Sequence, residues 1–162
     1  MSRLAALALL LALAGCGFHL RGEAPTGLRT LYVSTNVPSA VYGEVRRQVT
    51  GSATKLVTDL KQAEAHLKIL GESTEKTIQT LTGEGRVFDY QLRLKVSFQV
   101  TEGAEKALIE PADLELRRII SYSATAPLAK EQEELLLFQD MRAEAASRIL
   151  RRIAVARGNA PK

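Results

Sequence analysis

Phe88-Asp89-Tyr90-Gln91-Leu92-Arg93-Leu94-Lys95-Val96-Ser97-Phe98-Gln99-Val100-Thr101 alternates without a break. Phe88, Tyr90, Leu92, Leu94, Val96, Phe98 and Val100 are apolar or aromatic, and the residues between them are polar. A period of two over this length specifies a β-strand with one buried and one wet face. Before it, Thr82-Gly83-Glu84-Gly85 is a turn that folds it back against residues 65–80, a second strand with a possible bulge at Gly71. After it, Glu102-Gly103-Ala104-Glu105 makes the next turn, into a third strand over about residues 112–123. Pro111 marks a bulge or an edge there. Leu114 and Leu116 fall on even positions and Ile119 on an odd one, so a bulge is expected near Arg118.

Working outward, residues 29–34 form a first strand, and Asn36 and Pro38 signal the start of a helix over about residues 39–50. Its apolar stripe is Val41, Tyr42, Val45 and Val49, and Gly51 fits its C-cap. Residues 52–59 are ambiguous, with Leu56 and Val57 suited to a short extended piece. His66, alone among apolar neighbours, reads as structural. The last helix is expected over about residues 131–157, with Leu135, Phe138, Met141, Ala145, Ile149, Ile153 and Ala156 toward the core and Gly158 as its stop. Glutamates open it and arginines close it, which complements the helix dipole. The fold class is therefore α+β, a mixed four-stranded sheet with two helices packed on one face.

The N-terminus carries a different signal. Arg3 is followed by an apolar run over residues 4–14 and then by Leu13-Ala14-Gly15-Cys16. An aliphatic residue and two small ones before a cysteine have the form of a bacterial lipobox, and the run is too short to span a bilayer. The expected division is residues 1–15 as a lipoprotein signal peptide and residues 16–27 as a lipidated tether. Residues 28–158 follow as one α+β domain, and residues 159–162 as a C-terminal tail. Cys16 is the one cysteine among 162 residues, so acylation there leaves the body without a thiol or a disulfide. Gly17 after the cysteine lacks the aspartate of inner-membrane retention, which points to the outer membrane, periplasmic side, with a lipid anchor.

Chemistry-bearing motifs are sparse. The formal charge of +4 is compatible with an anionic surface but does not specify one. Arginines crowd the end of the last helix without an aromatic platform or a recognition motif, so no nucleic-acid partner is expected. Ser52 and Lys55, like Ser73 and Lys76, match the SxxK of penicillin-binding enzymes, but neither pair has an SDN or KTG companion. There is no metal-ligand cluster or cofactor motif, so no cofactor and no enzymatic activity are expected.

Cys16-Gly17-Phe18-His19-Leu20-Arg21 resembles the start of mature members of the LptE family of LPS-assembly lipoproteins. Gly85-Arg86-Val87-Phe88-Asp89-Tyr90-Gln91 is similar to the family's turn into its central strand. Leu128-Ala129-Lys130-Glu131 is similar to its entry into the last helix. The resemblance implies the same α+β fold. It also implies an outer-membrane lipoprotein that complexes with and plugs the LptD β-barrel, supports its assembly, and binds lipopolysaccharide for delivery to the outer leaflet. The family's LPS-contact positions correspond to Lys130 and to the hairpin tip. Gly83 and Glu84 stand at that tip where a basic residue is expected, leaving Arg86 as the nearest candidate. The competing class is a generic outer-membrane lipoprotein, a structural or binding module unrelated to LPS; a third is a periplasmic enzyme.

Overall fold

The computed structural model describes residues 26–103, 106–123 and 125–158. The first strand, β1 (Thr30–Thr35), leads into helix α1 (Ala40–Thr50) and then a two-residue strand, β2 (Lys55–Leu56). A single 3-10 turn, Leu60–Gln62, precedes the long strands β3 (Ala65–Leu81), β4 (Val87–Glu102) and β5 (Lys106–Ser121), and helix α2 (Pro127–Ala156) follows. The sheet runs β2-β1-β3-β4-β5. β1 pairs parallel with β2 and β3, while β3, β4 and β5 are antiparallel neighbours. The sheet is mixed, as expected, but has five strands rather than four. The fifth is β2, whose two residues are too few for any periodicity to reveal it.

The alternation of β4 translates directly into burial. Leu92, Leu94, Val96, Phe98 and Val100 are fully enclosed, together with Leu31, Leu67 and Ile69 from the neighbouring strands. Both helices cover this face: Val41, Val45 and Val49 of α1 and Met141, Ala145, Ile149 and Ile153 of α2 complete the core. The helices are joined to each other where Gln48 Nε2 donates to the Ala143 carbonyl at 2.9 Å and Ser147 Oγ donates to Gln48 Oε1 at 3.0 Å.

The bulge in β3 falls where Gly71 marks it, with the register slipping between Ile69 and Gly71. The slip turns Glu72 to the helix face, opposite Val96. There Glu72 Oε2 accepts from Ser39 Oγ at 2.7 Å and from the Val41 N–H at 2.9 Å, and Oε1 accepts from Arg142 Nε at 3.2 Å. Ser39 is itself the N-cap of α1. One carboxylate thus ties the sheet to the start of α1 and the middle of α2, where the positive end of the α1 dipole favours a negative charge.

β5 corrects one expectation. Its register with β4 is continuous from Asp113 to Ser121, so there is no bulge at Arg118. Ile119 lies on the open face, 63% exposed, while Ile120 is the buried member of the pair. Arg118 faces the helices instead and pairs with Glu144 of α2. β5 slips twice nearer its start, between Ile109 and Ala107 and between Ala112 and Ile109; the second lies around Pro111, which cannot donate to the ladder and sits on the edge strand.

α2 begins at Pro127, four residues earlier than expected, because a proline at the first helical position has no N–H to leave unpaired. Leu135, Phe88 and Ala156 of the expected core positions are exposed. For Leu135 and Phe88 the cause is coverage. β3 has 17 residues and spans roughly 55 Å. α1, with 11, is only about 16 Å long and stops level with Glu72. Beyond Glu72 the strands and the first turns of α2 continue without α1 beside them.

Candidate functional site

The uncovered region is the β3–β4 hairpin, the end of β5 and the start of α2. Tyr122 N–H donates to the Phe88 carbonyl at 2.8 Å, so the end of β5 stays attached to β4 almost to the hairpin tip. Tyr90 and Tyr122 meet edge to face, with centroids 6.0 Å apart. Ile78, Phe88, Leu128, Leu135 and Leu136 around them are each more than half exposed. Most of the exposed large apolar side chains among the described residues gather at this end, the distribution expected of a contact surface.

Cations border this surface. Lys130 lies in the first turn of α2 with a quarter of its side chain exposed. Its Nζ donates to Ser121 Oγ at 3.2 Å and to Glu133 Oε2 at 2.8 Å, which fixes the ammonium against the end of β5. Lys76 projects from β3 over the ring of Tyr90, 4.5 Å from its centroid, and pairs with Glu134 of α2 at 2.5 Å. Arg86 is at the hairpin tip, next to Gly85 with φ of +76° in the left-handed region. Its side chain is 81% exposed, and its Nε lies 3.6 Å from Glu84 Oε2.

Lys130 and Arg86 share this end of the molecule but do not touch. Lys130 holds Ser121, Ser121 pairs with Asp89, and Arg86 lies three residues before Asp89, in the turn that enters β4. That places the Arg86 backbone roughly 10 Å along the chain from the strand position that the Lys130 ammonium reaches. Sequence reasoning missed Lys76. Its signal was the Gly71 bulge: carrying the alternation through the slip puts Glu72 and Lys76 on the helix side.

The open face of the sheet is differently built. Arg93 lies between Glu75 and Glu115, Arg117 also reaches Glu115, and Lys95 pairs with Asp113 at 2.8 Å. The hydrogen bond from Lys95, helped by one from Ser97, holds the Asp113 carboxyl below its usual range. Tyr32 and His66 lie against one another on this face, and His66 Nε2 shares a 2.7 Å hydrogen bond with Ser34 Oγ. Burial, with a smaller push from Lys68, lowers the His66 pKa. Within the sheet, His66 is thus held by two neighbours from β1. No group of metal-ligating side chains occurs among the described residues, and no helix among them is long and apolar enough to cross a membrane. Cys16 lies outside the described residues.

The body is thus an α+β domain with a charged sheet face and an amphiphilic end. A family model described as LptE: Lipopolysaccharide-assembly matches residues 28–153. The chain is 33% identical to the LPS-assembly lipoprotein LptE of Pectobacterium atrosepticum over 153 residues, 90% of this chain and 80% of that one. It is 30% identical to the LptE of Photorhabdus laumondii, over 86% of this chain and 78% of that one. Among solved structures, the rare lipoprotein B of Shewanella oneidensis superposes with a TM-score of 0.71 at 28% identity, covering 80% of this chain and 97% of that chain. A lipoprotein B of Nitrosomonas europaea superposes with a TM-score of 0.74 at 26% identity, covering 88% and 94%. The chain belongs to the LptE family of lipopolysaccharide-assembly lipoproteins.

Proposed function

We propose that this protein is an outer-membrane lipoprotein, acylated at Cys16 and exposed to the periplasm, whose amphiphilic end works in lipopolysaccharide delivery. In this reading it complexes with an LptD-like β-barrel, plugs it and supports its assembly, and it binds LPS through Lys130 with Arg86. It acts by binding, without catalysis. The observation that carries the reading is the juxtaposition of Lys130 with uncovered apolar surface at one end of an LptE-family domain. Lipid A is an anionic amphiphile, and its phosphates require charge-assisted donors beside a surface that tolerates acyl chains. Glu131, Glu133 and Glu134 flank the lysine, so a general polyanion would be repelled where a correctly placed phosphate is not.

Two measurements test this. A mild-detergent pull-down of the acylated protein should bring a large β-barrel with it, and its absence would remove the barrel role. Lys130→Asp should weaken LPS binding while circular dichroism and barrel association stay as in the parent. Adding Arg86→Asp should weaken it further if one LPS molecule spans the separation between the two. Parent-like binding by Lys130→Asp at moderate salt would eliminate Lys130 as a contact.

A further inference from the structure

At the opposite end of the sheet, α2 and the edge strand β5 leave an open groove of about 540 Å³ between them. Its floor is apolar, formed by Ile109, Leu114 and Val155, and its wall carries Arg148, Arg151 and Arg152 from successive turns of α2. Arg148 is paired with Glu144 at 2.6 Å. Arg152 lies 5.9 Å from the ring centre of Phe98. Neither Arg151 nor Arg152 has a carboxylate partner among the described residues, although most arginines in the same body do. Guanidinium groups over an apolar floor match a phosphodiester joined to an acyl chain. The charge-assisted donors take the phosphate and the floor takes the first methylenes.

The groove's place in the fold gives that chemistry a source. Leu31 pairs with Ala65, Ala65 with Glu102, and Glu102 with Lys106, so these residues mark one end of the sheet. The C-terminus of α2 is at this end, where Arg157 lies 3.4 Å from Glu102. The body's first described residue, Thr26, is here as well, buried and sharing a 2.6 Å hydrogen bond with Thr54. From Thr26 back to Cys16 is ten residues, a reach of at most roughly 35 Å. A chain acylated at Cys16 therefore keeps this end of the sheet within that distance of the bilayer.

We infer that the groove between β5 and the C-terminal half of α2 seats an anionic phospholipid of the anchoring membrane, with Arg151 and Arg152 on its phosphate. The groove would hold this end of the body at the headgroups of the anchoring leaflet. Its position at the membrane rests on the anchor reading; its ligand chemistry does not.

The test is a titration of the full protein with dihexanoyl-phosphatidylglycerol below its micelle concentration, read by a polarity-sensitive fluorophore on Val155→Cys. Dihexanoyl-phosphatidylcholine, inorganic phosphate and lipid A serve as comparison ligands. Saturable binding of phosphatidylglycerol is expected, at least about tenfold tighter than phosphatidylcholine or phosphate and weakened by salt. Arg151→Gln/Arg152→Gln should lose that preference without a change in thermal midpoint. Equal response to the two phospholipids, a parent-like response of the double variant, or binding of lipid A alone would each overturn the inference. Vesicle flotation of the same preparation reports the anchor separately. A protein that binds the short-chain lipid but fails to float has lost the anchor reading and kept the groove.

Discussion

Phe88 and Phe98 stand on the same face of the same strand, yet one is 54% exposed and the other fully enclosed. Both are aromatic residues on the even, apolar side of one alternation, Phe98 between Ser97 and Gln99 and Phe88 between Val87 and Asp89. What separates them is the reach of α1. Phe98 sits in the core that the two helices close together, α2 over β4 and β5 with α1 beside it over β1 and β2, and at Phe88 the sheet has run past the end of α1. The covered half makes the fold stable. The uncovered half keeps the pattern of a core strand and leaves its apolar face open.

The comparison can be broken by truncating both rings. Phe98→Ala should cost about 3–5 kcal/mol of unfolding free energy. Phe88→Ala should stay within about 0.5 kcal/mol, read from urea midpoints with unchanged slope. Similar losses at the two sites would mean that the hairpin end is packed after all. Next in size is Glu72, which stands where the roof of α1 begins. Glu72→Ala removes acceptors from Ser39, Val41 and Arg142 together and should cost about 1.5–3 kcal/mol in the same experiment. A negligible effect would show that α1 is held by its apolar stripe alone.

Much of this contrast was invisible in the sequence, for a physical reason. Alternation reports which side a residue faces, and there it was right along β4, including the wet side from Asp89 to Thr101. It does not report how far the covering layer extends. The expected core stripe of α2 failed at Leu135 for the same reason that the strand failed at Phe88. Glu72 and Lys76 were within reach, because the Gly71 bulge had been noted and its parity change needed only to be carried forward. At Arg118 an assumed slip was unnecessary, since two adjacent isoleucines on an edge strand can simply face opposite ways. For the binding site, the family likeness pointed to Lys130 and Arg86. The sequence could not show that they share an apolar end of the fold.

A smaller effect sharpens the account of the open face. The His66 pKa is lowered by folding, so the unfolded chain binds the proton more readily. Its contribution to stability is present above the ordinary histidine value of 6.5 and is lost as pH falls through the lower folded value. His66→Phe should flatten that segment of the stability–pH curve, measured by thermal midpoints across mildly acidic buffers. An unchanged slope would assign it to other groups. Smallest of all, Arg93→Ala on the charged open face should shift stability by no more than about 0.5 kcal/mol, since exposed ion pairs contribute little.

The central claim is that the uncovered hairpin end, and not the anchor-side end, meets lipopolysaccharide. Site-specific photo-crosslinking tests it most directly, with the crosslinker placed at Phe88 in one variant and at Lys106, in the turn-proximal start of β5, in the other. Phe88 should form an LPS adduct and Lys106 should not, at equal protein levels and equal thermal midpoints. An LPS adduct at Lys106 with none at Phe88 would contradict the account.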